Sequence, residues 1–106
     1  MGKSLRDAYF IISVTLTPTK VEGSTGGEQT FTVPGLKTSY QILKVTKPTV
    51  QTGLFISNSR VSAADTLALQ FVNATTASIT PTAGETYTIT GLIPERVTFP
   101  SIVSPH

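Results

Sequence analysis

Acid–base work, nucleophilic catalysis and metal binding all need titratable side chains brought together, and this chain offers few. Its single histidine is His106, the last residue of the sequence. An acyl-transfer triad would have to recruit it as the base, although a terminal histidine normally stands in solvent. The carboxylates are Asp7, Glu22, Glu28, Asp65, Glu85 and Glu95, far apart and mostly at turn-like positions. A glycosidase pair needs two carboxyls facing one cleft, and 106 residues leave little volume for one. With no cysteine, neither disulfides nor thiolate metal sites can form. The segment VEGSTGG at 21–27 has the composition of a phosphate cradle, but no Lys-Ser/Thr pair follows and strand-like sequence stands where a helix would be required. The expectation is a chain that is not an enzyme, with no catalytic, cofactor or metal site and no small-molecule substrate.

Composition points the same way. Charged residues make up 13% of the chain and hydrophobic ones 39%, a balance too apolar for a disordered segment. Threonine and serine fill the gap, and β-branched threonine suits a half-exposed pleated surface. The net charge of +2 is spread along the chain, whereas nucleic-acid binding needs a concentrated basic footprint. Lys3 and Arg6 precede a short apolar run, Ala8 to Ile12, but Ser13, Thr15 and Thr17 alternate after it, so an opening strand is a better reading than a signal peptide. No apolar stretch reaches the length of a membrane-spanning helix.

The elements follow from periodicity. The stretch from Arg60 to Ala83 holds the clearest strand: Leu67, Leu69 and Phe71 share one face of Thr66–Val72, and Ala68, Gln70 and Val72 the other. Asn73 then offers a turn, and Ala77–Thr80 can run back as a second strand that Pro81 stops. Tyr9–Thr17 alternates, with Phe10, Ile12, Val14 and Leu16 together. Tyr9 and Ile11 make its other face partly apolar, as though its own domain or a partner covers it. Further strands are expected at Glu28–Val33, Tyr40–Thr46, Gly53–Ile56 and Glu85–Thr90, closed by Gly91, with a last edge strand at Val97–Phe99. Val21–Gly27 reads as a flexible loop, and Ser57-Asn58-Ser59 as a turn. The one candidate for helix is a single turn around Ala63–Asp65, with Ser62 as its cap. The whole predicts an all-β fold: a small antiparallel β-sandwich or barrel of about seven or eight short strands. Residues 1–8 form a flexible N-terminal arm, 9–99 a single domain and 100–106 an extended tail.

Arg60 and Asp65 can pair with each other, pair across a subunit interface, or stand apart in water; an exposed pair contributes only about 0–1 kcal/mol. Tyr9, Tyr40 and Tyr87 read as half-core residues, since a sugar-binding platform would want tryptophan, which is absent.

An ordered series of segments carries a resemblance. Thr17-Pro18, Glu28-Gln29-Thr30-Phe31-Thr32-Val33 with Gly35-Leu36, Val45 with Lys47-Pro48-Thr49, Gln51 with Gly53-Leu54, RVSAADTLALQFVN from Arg60, and Thr80-Pro81-Thr82 together resemble small virion structural proteins of tailed phages, among them capsid decoration (cement) proteins. The likeness runs from Thr17 to Tyr87, and Lys37-Thr38-Ser39-Tyr40-Gln41 departs from the acidic or aliphatic run expected after the Gly-Leu turn. It implies a protein on the outer surface of the expanded capsid, bound to the major capsid protein, assembled as a homo-oligomer (a trimer), and engaging neither nucleic acid nor membrane. The arm and the first loop are the expected contact regions, with Lys3, Leu5, Arg6, Tyr9, Glu22, Arg60 and Asp65 as the expected partner-contact residues. A tail or head–tail connector component, or a carbohydrate- or receptor-binding β-module on the virion, are the rival readings.

Overall fold

The computed structural model describes residues 8–94. Six antiparallel strands form two three-stranded sheets, and the described residues contain no helix. The strands are β1 (Ala8–Leu16), β2 (Thr25–Thr32), β3 (Gln41–Thr46), β4 (Leu54–Ala63), β5 (Thr66–Asn73) and β6 (Glu85–Ile93). One sheet has the order β1-β6-β3 and the other β2-β5-β4. Every connection except the β4–β5 hairpin crosses from one sheet to the other. The fold is therefore a β-sandwich, as the alternation requires.

The core comes from the two middle strands. Leu67, Leu69 and Phe71 of β5 face Tyr87 and Ile89 of β6, and all five are fully buried. Burial of each such side chain contributes roughly 1.5–3 kcal/mol. Phe10, Ile12, Val14 and Leu16 pack against this centre from β1, in the alternation seen in the sequence.

Five expectations are corrected. Ser57-Asn58-Ser59 is no turn: β4 runs through it and absorbs the irregularity as register shifts between Ile56 and Asn58 and between Val61 and Ala63. Polar residues are tolerated there because β4 is a sheet edge, and bulges are at home on edges. Ala63–Asp65 is not a helical turn but the tip of the β4–β5 hairpin, with Asp65 at φ 59°. Aspartate accepts that left-handed conformation better than most residues. Ala77–Thr80 does not return along β5; Ile79 instead makes an isolated bridge with Val21. The 21–27 segment is not a free loop, since Val21 is buried and Thr25–Gly27 already belong to β2. Gly91 likewise does not end its strand, which runs on to Ile93. Val97–Phe99, most of the N-terminal arm and the 100–106 tail lie outside the described residues.

Asn73 explains why the chain after β5 turns toward Val21. Its side chain is buried, and its Nδ2 donates to the carbonyls of Val21 (3.0 Å) and Ala77 (2.7 Å). Its Oδ1 accepts from Thr75 N (2.9 Å) and Thr75 Oγ1 (2.7 Å). Both donors and both acceptor positions of the amide are thus used.

Candidate functional site

β3 and β4 are the edges of different sheets, and they come alongside each other without forming a ladder. Both carry a register shift at this seam, between Ile42 and Lys44 on β3 and between Ile56 and Asn58 on β4. Bulges of this kind break the regular spacing that edge pairing needs. The seam therefore stays open as a groove. Its wider end is a hollow of about 380 Å³ with Val45, Leu54, Ile56 and Phe71 among its walls. A second hollow of about 260 Å³ adjoins it through Val45 and Ile56. Val50, 93% exposed, and the exposed Phe55 stand at the rim.

The lip of this groove, residues 47–53, is tied down by polar contacts. Gln51 Nε2 donates to the Thr80 carbonyl at 3.0 Å, and Gln51 Oε1 accepts from Thr82 N at 2.9 Å. Lys47 Nζ donates to the Thr49 carbonyl and to Thr49 Oγ1, both at 3.0 Å. Its ammonium also stands 2.9 Å from Glu85 Oε1, and the two side chains are only 11% and 10% exposed. That approach supplies charge without hydrogen-bond alignment, so Oε1 has no directed partner, while Oε2 accepts from the Thr49 hydroxyl. The Thr49 bond, followed by Lys47, holds the Glu85 carboxyl below its ordinary pKa.

Tyr87 lies two residues along β6 from Glu85, fully buried and with its hydroxyl unpaired. Burial, and secondarily the Glu85 charge, push its pKa up to about 12. The folded state therefore favours the neutral phenol, and that contribution is intact below pH 10 and is lost as pH rises toward 12. Over that interval the wild type should lose stability through this group. Tyr87→Phe should be neutral or stabilising near pH 7, because it removes an unpaired buried hydroxyl, and should flatten the alkaline limb of a stability–pH curve. A marked loss of stability at neutral pH would show that the hydroxyl has a partner.

The residues singled out from the sequence do not converge. Tyr9 lies on the outer face of β1, 71% exposed. Glu22 pairs with Lys20 at 3.3 Å on the surface. Arg60 and Asp65 are not partners. Arg60 Nε and Nη2 donate to the two oxygens of Glu28 at 2.8 and 2.9 Å, bridging β2 and β4 across the middle strand β5. Glu28 is held below its usual pKa by that pairing, and Arg60 is raised by it. Asp65 instead accepts from Gly35 N at 2.7 Å and joins the hairpin tip to the turn after β2. Both residues hold strands together within this chain. Lys3, Leu5 and Arg6 lie outside the described residues.

Sequence reasoning missed the Lys47–Glu85 pair, whose members are far apart in the chain. The available signal was Glu85 at an inward-facing position two before Tyr87, where a carboxylate needs a cation. Asn73-Ala74-Thr75 also spells the N-glycosylation acceptor pattern, but the buried, fully bonded amide is closed to modification in the folded state. Among the described residues, no three His, Cys, Asp or Glu side chains gather as a metal site would require, and no helix is long and apolar enough to cross a membrane. Compared with protein-family models, curated proteins and solved structures, the chain matches none.

Proposed function

We propose that this protein is a structural component of a phage virion, a capsid decoration protein that binds the outer surface of the expanded shell and bridges neighbouring major capsid subunits. The phage assignment rests on the resemblance of the segments between Thr17 and Tyr87. The observation that carries the binding role is the pinned groove at the β3–β4 seam, with Val50 and Phe55 presented at its rim. Large apolar side chains on a rigid lip suit a partner surface, since an exposed apolar cluster otherwise works against solubility. A ligand of this kind stabilises the lattice it prefers through its differential affinity for that state. Modest contacts add up when an oligomer engages several subunits at once.

The test is co-sedimentation of the purified chain with undecorated, expanded shells of the parent phage. Deleting residues 1–7, which stops short of β1, should weaken shell binding while leaving the melting temperature of the domain close to that of the wild type. Val50→Ser combined with Phe55→Ser should weaken it as well. Shell affinity that neither change moves removes the proposal. Density for the chain at a single vertex, and not across the shell, would transfer it to the connector reading.

A further inference from the structure

The free edges of the two sheets are not alike. β3 and β4 lie against each other, and each is broken by a register shift. β2 begins Thr25-Gly26-Gly27 and carries Glu28, which is committed to Arg60. β1 has none of these features. It pairs with β6 over nine residues without a register shift, and from Ala8 to Leu16 it contains no charge, no proline and no glycine. An edge without a bulge, a proline or a charge is a ready template for another strand. Among the described residues its only ladder is with β6.

The side chains on this edge point to the same conclusion. Tyr9 and Ile11 project from the outer face of β1 and are 71% and 70% exposed. Farther from the edge the same face turns polar, with Thr86, Thr88 and Thr90 on β6 and Lys44 and Thr46 opposite them on β3. Tyr9 and Ile11 are thus the most exposed large apolar residues of this sheet, with Leu43 at the β3 register shift next at 51%. A neighbouring strand would give them the cross-strand contacts they lack.

We propose that β1 is a self-association edge, at which two copies of this chain pair β1 with β1, antiparallel about a two-fold axis. A second copy fits because the edge is self-complementary. Antiparallel pairing matches each outward N–H with a carbonyl of the mate, and a strand without charges meets itself without like-charge repulsion. The two β1-β6-β3 sheets then join into one six-stranded sheet, and Tyr9 and Ile11 of each copy lie beside those of the other. This pairing stands independently of the virion reading.

Sedimentation equilibrium of the full chain across a concentration series should show a monomer–dimer equilibrium. Ile11→Lys, at an exposed site, should keep the wild-type melting curve and weaken dimerisation by about tenfold or more, because it places like charges close together across the axis. The natural chain has no cysteine, which allows a scan of Tyr9→Cys, Ile11→Cys, Ser13→Cys and Thr15→Cys. A disulfide needs Cβ atoms about 3.5–4.5 Å apart, so oxidation should cross-link one position near the axis best and fall away on either side. A chain that stays monomeric, a trimer, a dimer indifferent to Ile11→Lys, or a flat cross-linking profile would each overturn the pairing.

Discussion

Asn73→Asp is expected to destabilise the fold by about 3–5 kcal/mol at neutral pH, a large share of what a domain of this size has. The change is one of the smallest possible in shape, and its effect is entirely one of hydrogen-bond polarity. In the native protein Nδ2 donates to the Val21 and Ala77 carbonyls at 3.0 and 2.7 Å. A carboxylate oxygen in that place would face two carbonyl oxygens with nothing to donate, in a buried position. Its folded-state pKa would rise above the ordinary aspartate value of about 3.9. The variant would therefore be closest to wild type below about pH 4, and the gap would widen as pH rises through the raised pKa. Asn73→Ala gives the control. It loses all four hydrogen bonds, including the two accepted from Thr75 that a carboxylate oxygen keeps, but it buries no charge, so its deficit relative to wild type should be smaller at neutral pH and nearly independent of pH. Denaturant unfolding of the three proteins at pH 4 and pH 7 separates the two effects. Equal stability of the aspartate and alanine variants at pH 7 would mean that water reaches Asn73 and that the amide is not the closed hub described.

The same residue shows where the sequence was legible and where it was not. The strand that ends in Asn73 was visible, because alternation is a property of consecutive residues and needs no knowledge of the partner. β1 and β5 were read with their inward faces in order for that reason. Asn73 itself read as a turn former, which describes its local chemistry correctly. What determines its role is the Val21 carbonyl, 52 positions away, and nothing local encodes that partner. The partner of Arg60 was not legible for a related cause. Asp65 is near it in sequence, but a hairpin tip separates them in space, whereas β5 brings Glu28 of β2 into reach across the sheet. The interior of β4 was missed because Ser57-Asn58-Ser59 is polar, and polarity marks either a turn or an edge strand. The groove was invisible for the same reason: it is made by two edges whose approach is a tertiary fact. Tyr9 and Ile11 were noticed as an apolar second face, and the expected cover from the chain's own domain is not provided by the described residues.

Gly91→Val should cost about 3 kcal/mol, the upper part of the range for overpacking, although valine is a far better strand former than glycine. Gly91 lies opposite Phe10 in the β1–β6 ladder and opposite Ile42 in the β3–β6 ladder. The Phe10 ring, itself 5.7 Å from the Tyr40 ring, occupies the space a side chain would need. A Cβ at Gly91 would fall 2.1 Å from Phe10 Cζ and 2.8 Å from the Gln41 carbonyl oxygen. The ring can rotate away at the expense of its own packing. The carbonyl belongs to the neighbouring strand and moves only if β3 does. A glycine inside a strand read as a stop from the sequence is thus the space that lets an aromatic side chain from the next strand lie flat across it, with the strand continuing to Ile93. The two sites should be strongly coupled. Phe10→Ala alone removes part of the core-flanking packing, but in the Gly91→Val background it also relieves the clash, so the double variant should be clearly more stable than the sum of the two single losses predicts. Thermal or denaturant unfolding of all four proteins closes the cycle. Additive losses would show that the Gln41 carbonyl, and not the ring, sets the limit at this position, and a stabilised Gly91→Val would show that strand propensity outweighs the contact.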